Sequence, residues 1–570
     1  MVKNIKQKHI AYSVIFICFI ILLFRCNSYL LTDYLSEAPF VASAFESKGF
    51  FAAFMPTLNG DTFLHAGPLY YLMQSLSAKL FGNFSELSSR FFSCFISVLT
   101  ALMSYLAIKK AVNVRLARIA SLSLVSVALF VIYSAVSSPN MLASCFMMLS
   151  ILSLITGLLD DENQNKKTLY VLFWILSAFS IFTGGVMYFV LSFIIAVPVV
   201  LCCKKASEFI KKSFFGVLLF ILSFILYLYI FYRHGSVGFL KYFVLNFRPA
   251  ILTVDMSNNY LYYLKYFAMA FVIGFLPWVF SFVSIALSFA AKFLKEIFVF
   301  RTDLKSVEFD LGRKFFLISV WGFICSLFAY FVFSINNFTG LIPASFFAAM
   351  AISYYWYRNI YFKVHKKAIT LSAIAFYLLL ISLALFLVIS YFFVSSVFKT
   401  YIESLIIPVI LITLLVAIPG MLSIMLKRRL LNFSIHILFS FLLYFVLTGL
   451  FFNYICSFGE NDLVNFSLKA KEDKVMLVTF DLKNKYSMTY YYGAPIVFNG
   501  TLSAEEIYNN YGDSREIYLV LRHTDLAYFD KFFVYEIVAS GKQYCEITNI
   551  KYLPTDEVKE NPEITPDLAD

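Results

Sequence analysis

Charge is scarce in this chain. Asp, Glu, Lys and Arg make up 14% of its 570 residues, against roughly a quarter in a soluble domain. A soluble protein of that length needs a polar skin that this composition cannot supply, so soluble-enzyme, disordered and fibrous classes are excluded. Cysteine is sparse too. Most of the nine lie inside apolar runs, and none forms a CxxC or a Cys/His pattern with zinc spacing. Neither a disulfide framework nor a structural zinc site is expected. There is no internal repeat, coiled coil or low-complexity run. Nor does a small-residue cleavage site follow the apolar stretch 11–24, since Arg25-Cys26-Asn27 comes next. The basic N-terminus (Lys3, Lys6, Lys8) therefore reads as the lead into an uncleaved membrane helix rather than a signal peptide.

What is present is apolar surface: 61% hydrophobic residues, 68 Phe, 38 Tyr and a mean hydropathy of +0.79. That is a polytopic membrane protein. Spanning helices of about 20 apolar residues fit at 9–29, 91–110, 117–135, 140–159, 168–184, 186–203, 213–233, 262–290, 315–334, 340–357, 368–394, 402–426 and 431–455, about thirteen in all. With the N-terminus inside, the inner loops and N-terminal tail hold more than half of the 46 Lys and Arg. The short outer connections hold none, which is the positive-inside pattern. The net charge of +12 is thus accounted for by topology, and nucleic acid is not an expected partner. The C-terminus falls outside. The expected division is a membrane domain over 1–457, with a first outer loop over 30–90, and an outer α/β domain over 458–570. In that domain, 474–480 and 516–521 read as buried strands, and a Ser503/Glu506 capping box opens a helix over 503–511. The acidic, Pro-bearing end 554–570 reads as disordered.

The first loop concentrates polar chemistry: Asp33, Glu37, Glu46, Asp61, His65, Glu86 and Arg90. The apolar stretch Phe50–Pro56 between them suits a membrane interface. A carboxylate pair there serves either as a general base or, with His65, as ligands of a divalent ion. Plain solvated loop carboxylates are the competing reading. On a helix, Asp33 and Glu37 would share a face. The second long loop, 234–261, carries Arg248 among basic residues that run against the topology. Pairing with phosphate and snorkelling to headgroups both account for them.

The stretches Ser36-Glu37-Ala38-Pro39-Phe40, Gly49-Phe50-Phe51, Pro56-Thr57-Leu58-Asn59-Gly60, Phe63-Leu64-His65-Ala66-Gly67-Pro68-Leu69-Tyr70-Tyr71 and Leu80-Phe81-Gly82, with Glu86 and Arg90, resemble one family's first periplasmic loop. That family is the dolichyl-phosphate-mannose protein mannosyltransferase superfamily, in its bacterial branch with the lipid A aminoarabinose transferase. Gly274-Phe275-Leu276-Pro277-Trp278, the segment Phe333 to Pro343 and Tyr490-Tyr491-Tyr492-Gly493 resemble further family segments.

The resemblance implies a GT-C glycosyltransferase fold. It also implies a monomer of the bacterial inner membrane that moves a sugar from a polyprenyl-phosphate donor to lipid A, another envelope glycan or a protein. On that basis Glu37 is the base with Asp33 in support, and Arg90, Arg248, Tyr70, Tyr71 and Asp61 bind substrate. His65 contacts a divalent metal ion or phosphate. Four charged family positions are altered here: the first Asp of the Asp-Glu pair is Ser36, a metal-binding acid falls on His65, a second carboxylate on Asn140, and a Lys on Asn336. Three readings follow: a shifted site using Asp33 and Glu37, a different acceptor, or lost activity. A transporter would need charges within helices and an internal duplication, neither of which is visible. A non-catalytic scaffold stays open.

Overall fold

The computed structural model describes residues 31, 37–160, 164–234, 256–287, 311–333, 338–364, 366–393, 396–446, 460–482 and 485–553. The chain forms two compact units. One takes in 47–56 and 62–452, and the other takes in 30–46, 57–61 and 453–570.

The first unit is helical. Among the described residues eight helices are long and apolar enough to cross a membrane, or ten if each of two bent pairs is one span. Val186–Cys202 and Arg429–Leu443 are shorter apolar helices. Each of these segments falls on an expected span, and the span expected over 9–29 lies outside the described residues. Two spans differ in detail. The helix expected from 91 begins earlier, at Glu86, behind a reciprocal Ser85/Ser88 cap, so the first loop is shorter than 30–90. The single helix expected over 117–135 is instead Val114–Leu124 and Ala128–Ser134, bent by 65°.

No Gly or Pro marks that bend; its cause is tertiary. The second bent pair, Tyr263–Gly274 and Val279–Leu287, turns by 111° around Gly274 and Pro277. The two breaks meet. Ala128 N–H donates to the Leu276 carbonyl at 3.0 Å, and Trp278 Nε1 donates to Ser126 Oγ at 2.9 Å. Ser440 Oγ donates to the Ser126 carbonyl at 2.7 Å. Backbone groups in apolar surroundings must be paired, and each break supplies partners the other lacks.

The second unit opens with the helix Ala38–Glu46 and a two-residue ladder, β1 (Thr57–Leu58) and β2 (Asp61–Thr62). Asn59 and Gly60 between them both have positive φ (53° and 83°), the Asn-Gly preference of a tight hairpin turn. The C-terminal part is a five-stranded sheet in the order β4 (Val497–Asn499), β3 (Met476–Phe480), β5 (Ile517–Arg522), β7 (Tyr544–Tyr552), β6 (Phe533–Ser540). β3 runs parallel to β4 and β5. β7 pairs antiparallel with β5 and β6.

Alternation along the strands makes two cores. Val478, Leu519, Cys545 and Ile547 lie with Ile507 and Phe529 of the helices Ala504–Tyr511 and His523–Phe532. Leu477, Val520 and Tyr544 lie with Leu463, Phe466 and Met488 of the helices Glu460–Asp473 and Tyr486–Tyr492. Both expected strands are present, as is the helix capped by Ser503 and Glu506.

Glu546 breaks the apolar pattern of β7. It is fully buried, and neither carboxylate oxygen accepts a hydrogen bond among the described residues. Burial pushes its pKa up to about 8; Lys469 pulls it down and Asp473 adds to the rise. A raised folded-state pKa contributes stability that is fully present below the unfolded value of 4.5. That contribution is lost as pH rises through about 8. Glu546→Gln is therefore expected to raise the melting temperature of this unit by about 5 °C or more at pH 9. The gain shrinks towards zero near pH 5. Hydrogen exchange of β7 in the full chain across that pH range reads this out, and a pH-independent difference would contradict it.

Candidate functional site

The structure sorts the first-loop carboxylates by what they do. Glu46 Oε1 accepts the Asn59 N–H at 2.8 Å, and Oε2 accepts Gly60 N–H at 3.4 Å. Glu46 thus clamps a turn. Glu86 is the first residue of its helix, where a negative charge offsets the helix dipole. Asp61 is exposed on β2. Glu37 alone among the described carboxylates of this loop is fully buried. Its carbonyl accepts the Val41 N–H at 3.1 Å at the start of Ala38–Glu46. The helix begins after Glu37, so the expected shared helical face with Asp33 is not supplied by it. Asp33 and Arg248 lie outside the described residues.

In the helical unit, Tyr70, Tyr71 and Arg90 come out of the expected loop into buried positions. Gly67 and Pro68 open the helix Pro68–Phe81, whose buried face carries Tyr70, Tyr71 and Gln74. Tyr70 Oη bonds Ser137 Oγ at 2.9 Å. Gln74 Nε2 donates to the Ser89 carbonyl at 2.9 Å and to Ser137 Oγ at 2.7 Å. Gln74 Oε1 accepts nothing among the described residues. Ser138 N–H reaches Ser93 Oγ at 3.5 Å, and Asn140 Nδ2 donates to Thr339 Oγ1 at 2.7 Å.

These bonds gather the N-terminal ends of Glu86–Ala111, Pro139–Leu159 and Ile342–Phe362 into one polar layer, with the fully buried Arg90 on the first of them. Helix N-termini and a guanidinium together favour an anion. Gln74 and Ser137 were not singled out from the sequence. The available signal was the i, i+4 spacing of Tyr70 and Gln74, which puts both on one helix face.

His65 lies at the surface beside this helix. Its ring sits against Phe63 at 4.7 Å, and Tyr71 Oη reaches the Phe63 carbonyl at 3.5 Å. Desolvation by the surrounding protein holds its pKa below the ordinary value, which favours neutral imidazole at pH 7. Among the described residues no three His, Cys, Asp or Glu side chains gather as ligands for an ion. The described part of the site therefore does not by itself form a divalent-ion cage around His65.

Gly67 sets the seat of this helix. Its N–H donates to the Thr183 carbonyl at 2.8 Å, and a Cβ at this position would collide with the backbone carbonyl of Phe182. Gly67→Ala is expected to cost about 1–3 kcal/mol, as overpacking does, and to displace Tyr70 and Gln74. Thermal unfolding of the purified variant measures the first effect.

Residues 65–231 match the family model described as dolichyl-phosphate-mannose-protein mannosyltransferase. An uncharacterized protein of Aquifex aeolicus (strain VF5) is 26% identical over 232 residues, which is 40% of this chain and 44% of that relative. The match thus spans less than half of the relative's length. Two crystal structures of ArnT from Cupriavidus metallidurans share the fold with a TM-score of 0.72. The one bound to undecaprenyl phosphate is 13% identical and is matched over 95% of this chain and 98% of its own. The apo structure is 12% identical, with 96% and 98% covered. At such identity the likeness is one of fold.

Proposed function

We infer the activity of a chain that, over residues 65–231, belongs to the dolichyl-phosphate-mannose-protein mannosyltransferase family. It is a membrane glycosyltransferase of GT-C fold that takes a sugar from a polyprenyl phosphate. The acceptor is lipid A or a related envelope glycan on the periplasmic face of a bacterial inner membrane. The single observation that supports this most is the buried polar layer in the family-matched segment, where three helix N-termini and Arg90 suit a phosphate.

In the reaction an acceptor hydroxyl attacks the anomeric carbon. The new C–O bond forms as the bond to the phosphate oxygen breaks, and the electron pair leaves with the polyprenyl phosphate. Polyprenyl phosphate, a phosphate monoester, is already a good leaving group, so the protein has two tasks: to take the acceptor proton and to stabilise the departing charge. Glu37 takes the proton, with Asp33 in support. Arg90 and Arg248 hold the phosphate, Arg through a planar fork that matches its oxygens. Tyr70, Tyr71 and Asp61 are assigned to substrate binding, and Gln74 Oε1 is a spare acceptor for a sugar hydroxyl. His65 is exposed, suited to a hydrogen bond with phosphate or to one ligand position on a metal ion.

The test is transfer by the purified full chain in lipid nanodiscs, given polyprenyl-phosphate-linked sugars and lipid A. Acceptor-dependent release of polyprenyl phosphate, with a sugar-sized mass gain on lipid A, is the expected result. A mass gain on protein instead would move the acceptor. No release with any acceptor would refute the reading.

A further inference from the structure

The C-terminal sheet domain grips the chain on both sides of Glu37, and the grip comes from one seven-residue helix and the turn that follows it. Before Glu37, the Leu31 N–H donates to Tyr491 Oη at 3.1 Å in buried surroundings. After it, the helix Ala38–Glu46 lies on Tyr486–Tyr492, with Phe45 edge-on to Tyr490 at 6.0 Å. Further along, Asn59 Oδ1 accepts from Thr489 Oγ1 at 3.0 Å and from Ile496 N–H at 3.3 Å. The Asn59 N–H is in turn held by Glu46 at 2.8 Å. Gly493 ends the gripping helix with φ +82°, and a side chain there would crowd Lys471 Nζ. Thr489 is almost wholly buried, so its hydroxyl needs the Asn59 acceptor.

We propose that the helix Tyr486–Tyr492 is a positioning element for the catalytic loop. In it, Tyr491 and Thr489 act as positioning residues that fix the backbone on either side of Glu37. The proposal rests on Glu37 being the base. A general base works only within hydrogen-bond reach of its proton, and a misplacement of about 1 Å costs on the order of 10²-fold in rate. The Glu37 carboxylate sits on a backbone tied down six residues before it and within the helix after it. Residues far along the chain but in the same compact unit therefore fix the backbone that carries that carboxylate. The segment Tyr490-Tyr491-Tyr492-Gly493 acquires a role in this way without touching substrate.

Two measurements on the full chain test this, and they fail separately from the glycosyltransferase reading. The first is hydrogen exchange of residues 31, 37–46 and 57–61 in Tyr491→Phe, Thr489→Val and Thr489→Ser. The first two variants are expected to exchange faster there, with the strands β3, β5 and β7 unchanged, and Thr489→Ser to match the natural protein. Unchanged exchange in Tyr491→Phe and Thr489→Val overturns the grip whether or not transfer is detected.

The second measurement is steady-state transfer. Tyr491→Phe and Thr489→Val are expected to lower kcat about tenfold, with the donor KM unchanged within about twofold, and Ser to restore it. In a Glu37→Gln background neither should lower the residual rate further, because each acts through Glu37. A change in KM alone, or a full further loss in the Glu37→Gln background, overturns the positioning role. If the natural protein shows no transfer, the exchange result still decides the grip and the proposed function alone falls.

Discussion

Glu37→Gln is expected to lower kcat about 10³-fold and to leave the fold intact. Gln keeps the shape of Glu and removes only the basicity, so the acceptor hydroxyl must attack while still carrying its proton. General-base contributions of 10²–10⁴-fold bracket the loss. The proposed assignment to Glu37 is supported by what the other described carboxylates of the loop do. Glu46 is spent on the Asn59-Gly60 turn, Glu86 on a helix start, and Asp61 stands exposed on a tight hairpin. Glu37 is buried at the head of a helix. Steady-state kinetics with the donor saturating measure the effect, alongside the melting temperature. A variant retaining more than a tenth of the rate would move the base to another group, with Asp33 the next to substitute.

Arg90→Lys is expected to reduce kcat/KM for the polyprenyl-phosphate donor by about 10²-fold, the scale of losing a donor aimed at developing charge. Lys keeps the charge and loses the planar fork, so the change isolates the geometry of phosphate recognition. The guanidinium is fully buried on the first turns of Glu86–Ala111, beside Ser89, whose carbonyl ties that helix to Gln74. Arg90→Ala is the poorer probe. Truncating a fully buried side chain of this size costs about 2–5 kcal/mol as a large-to-small change does, and so confuses folding with catalysis. Size-exclusion profiles matching the natural protein, together with the kinetic loss, support the phosphate role. An unchanged kcat/KM in a folded Arg90→Lys protein contradicts it.

The apolar runs located the membrane helices because twenty apolar residues in a row admit few other structures in a chain this poor in charge. The bend at Gly274-Phe275-Leu276-Pro277 carries its own punctuation. The bend after Leu124 does not, since Val125-Ser126-Val127 is ordinary helix sequence. It exists because Leu276, Trp278 and Ser440 offer partners from far along the chain.

The site divided in the same way. Gly67-Pro68 and the Asn59-Gly60 turn are local signals, the first tied to a close backbone approach and the second to positive φ. That Arg90 is buried rather than in a loop depends on where the helix begins, and the Ser85/Ser88 cap decides that. The pairing of Asn59 with Thr489, more than four hundred residues away, leaves no trace in composition or periodicity. In the C-terminal domain, continuous apolar runs marked β3 and β5 as buried strands. The hairpin Phe533–Tyr552 carries no such run: β6 is largely exposed and mixes Glu536 and Ser540 with apolar residues, and buried β7 is broken by Glu546, Thr548 and Asn549.

The most direct test of the glycosyltransferase account is mass spectrometry of lipid A and other envelope glycans. It would compare cells of the source organism with the protein, without it, and with only Glu37→Gln. The account predicts that one sugar-sized increment disappears without the protein and that Glu37→Gln does not restore it. Envelope glycans identical in all three would contradict it.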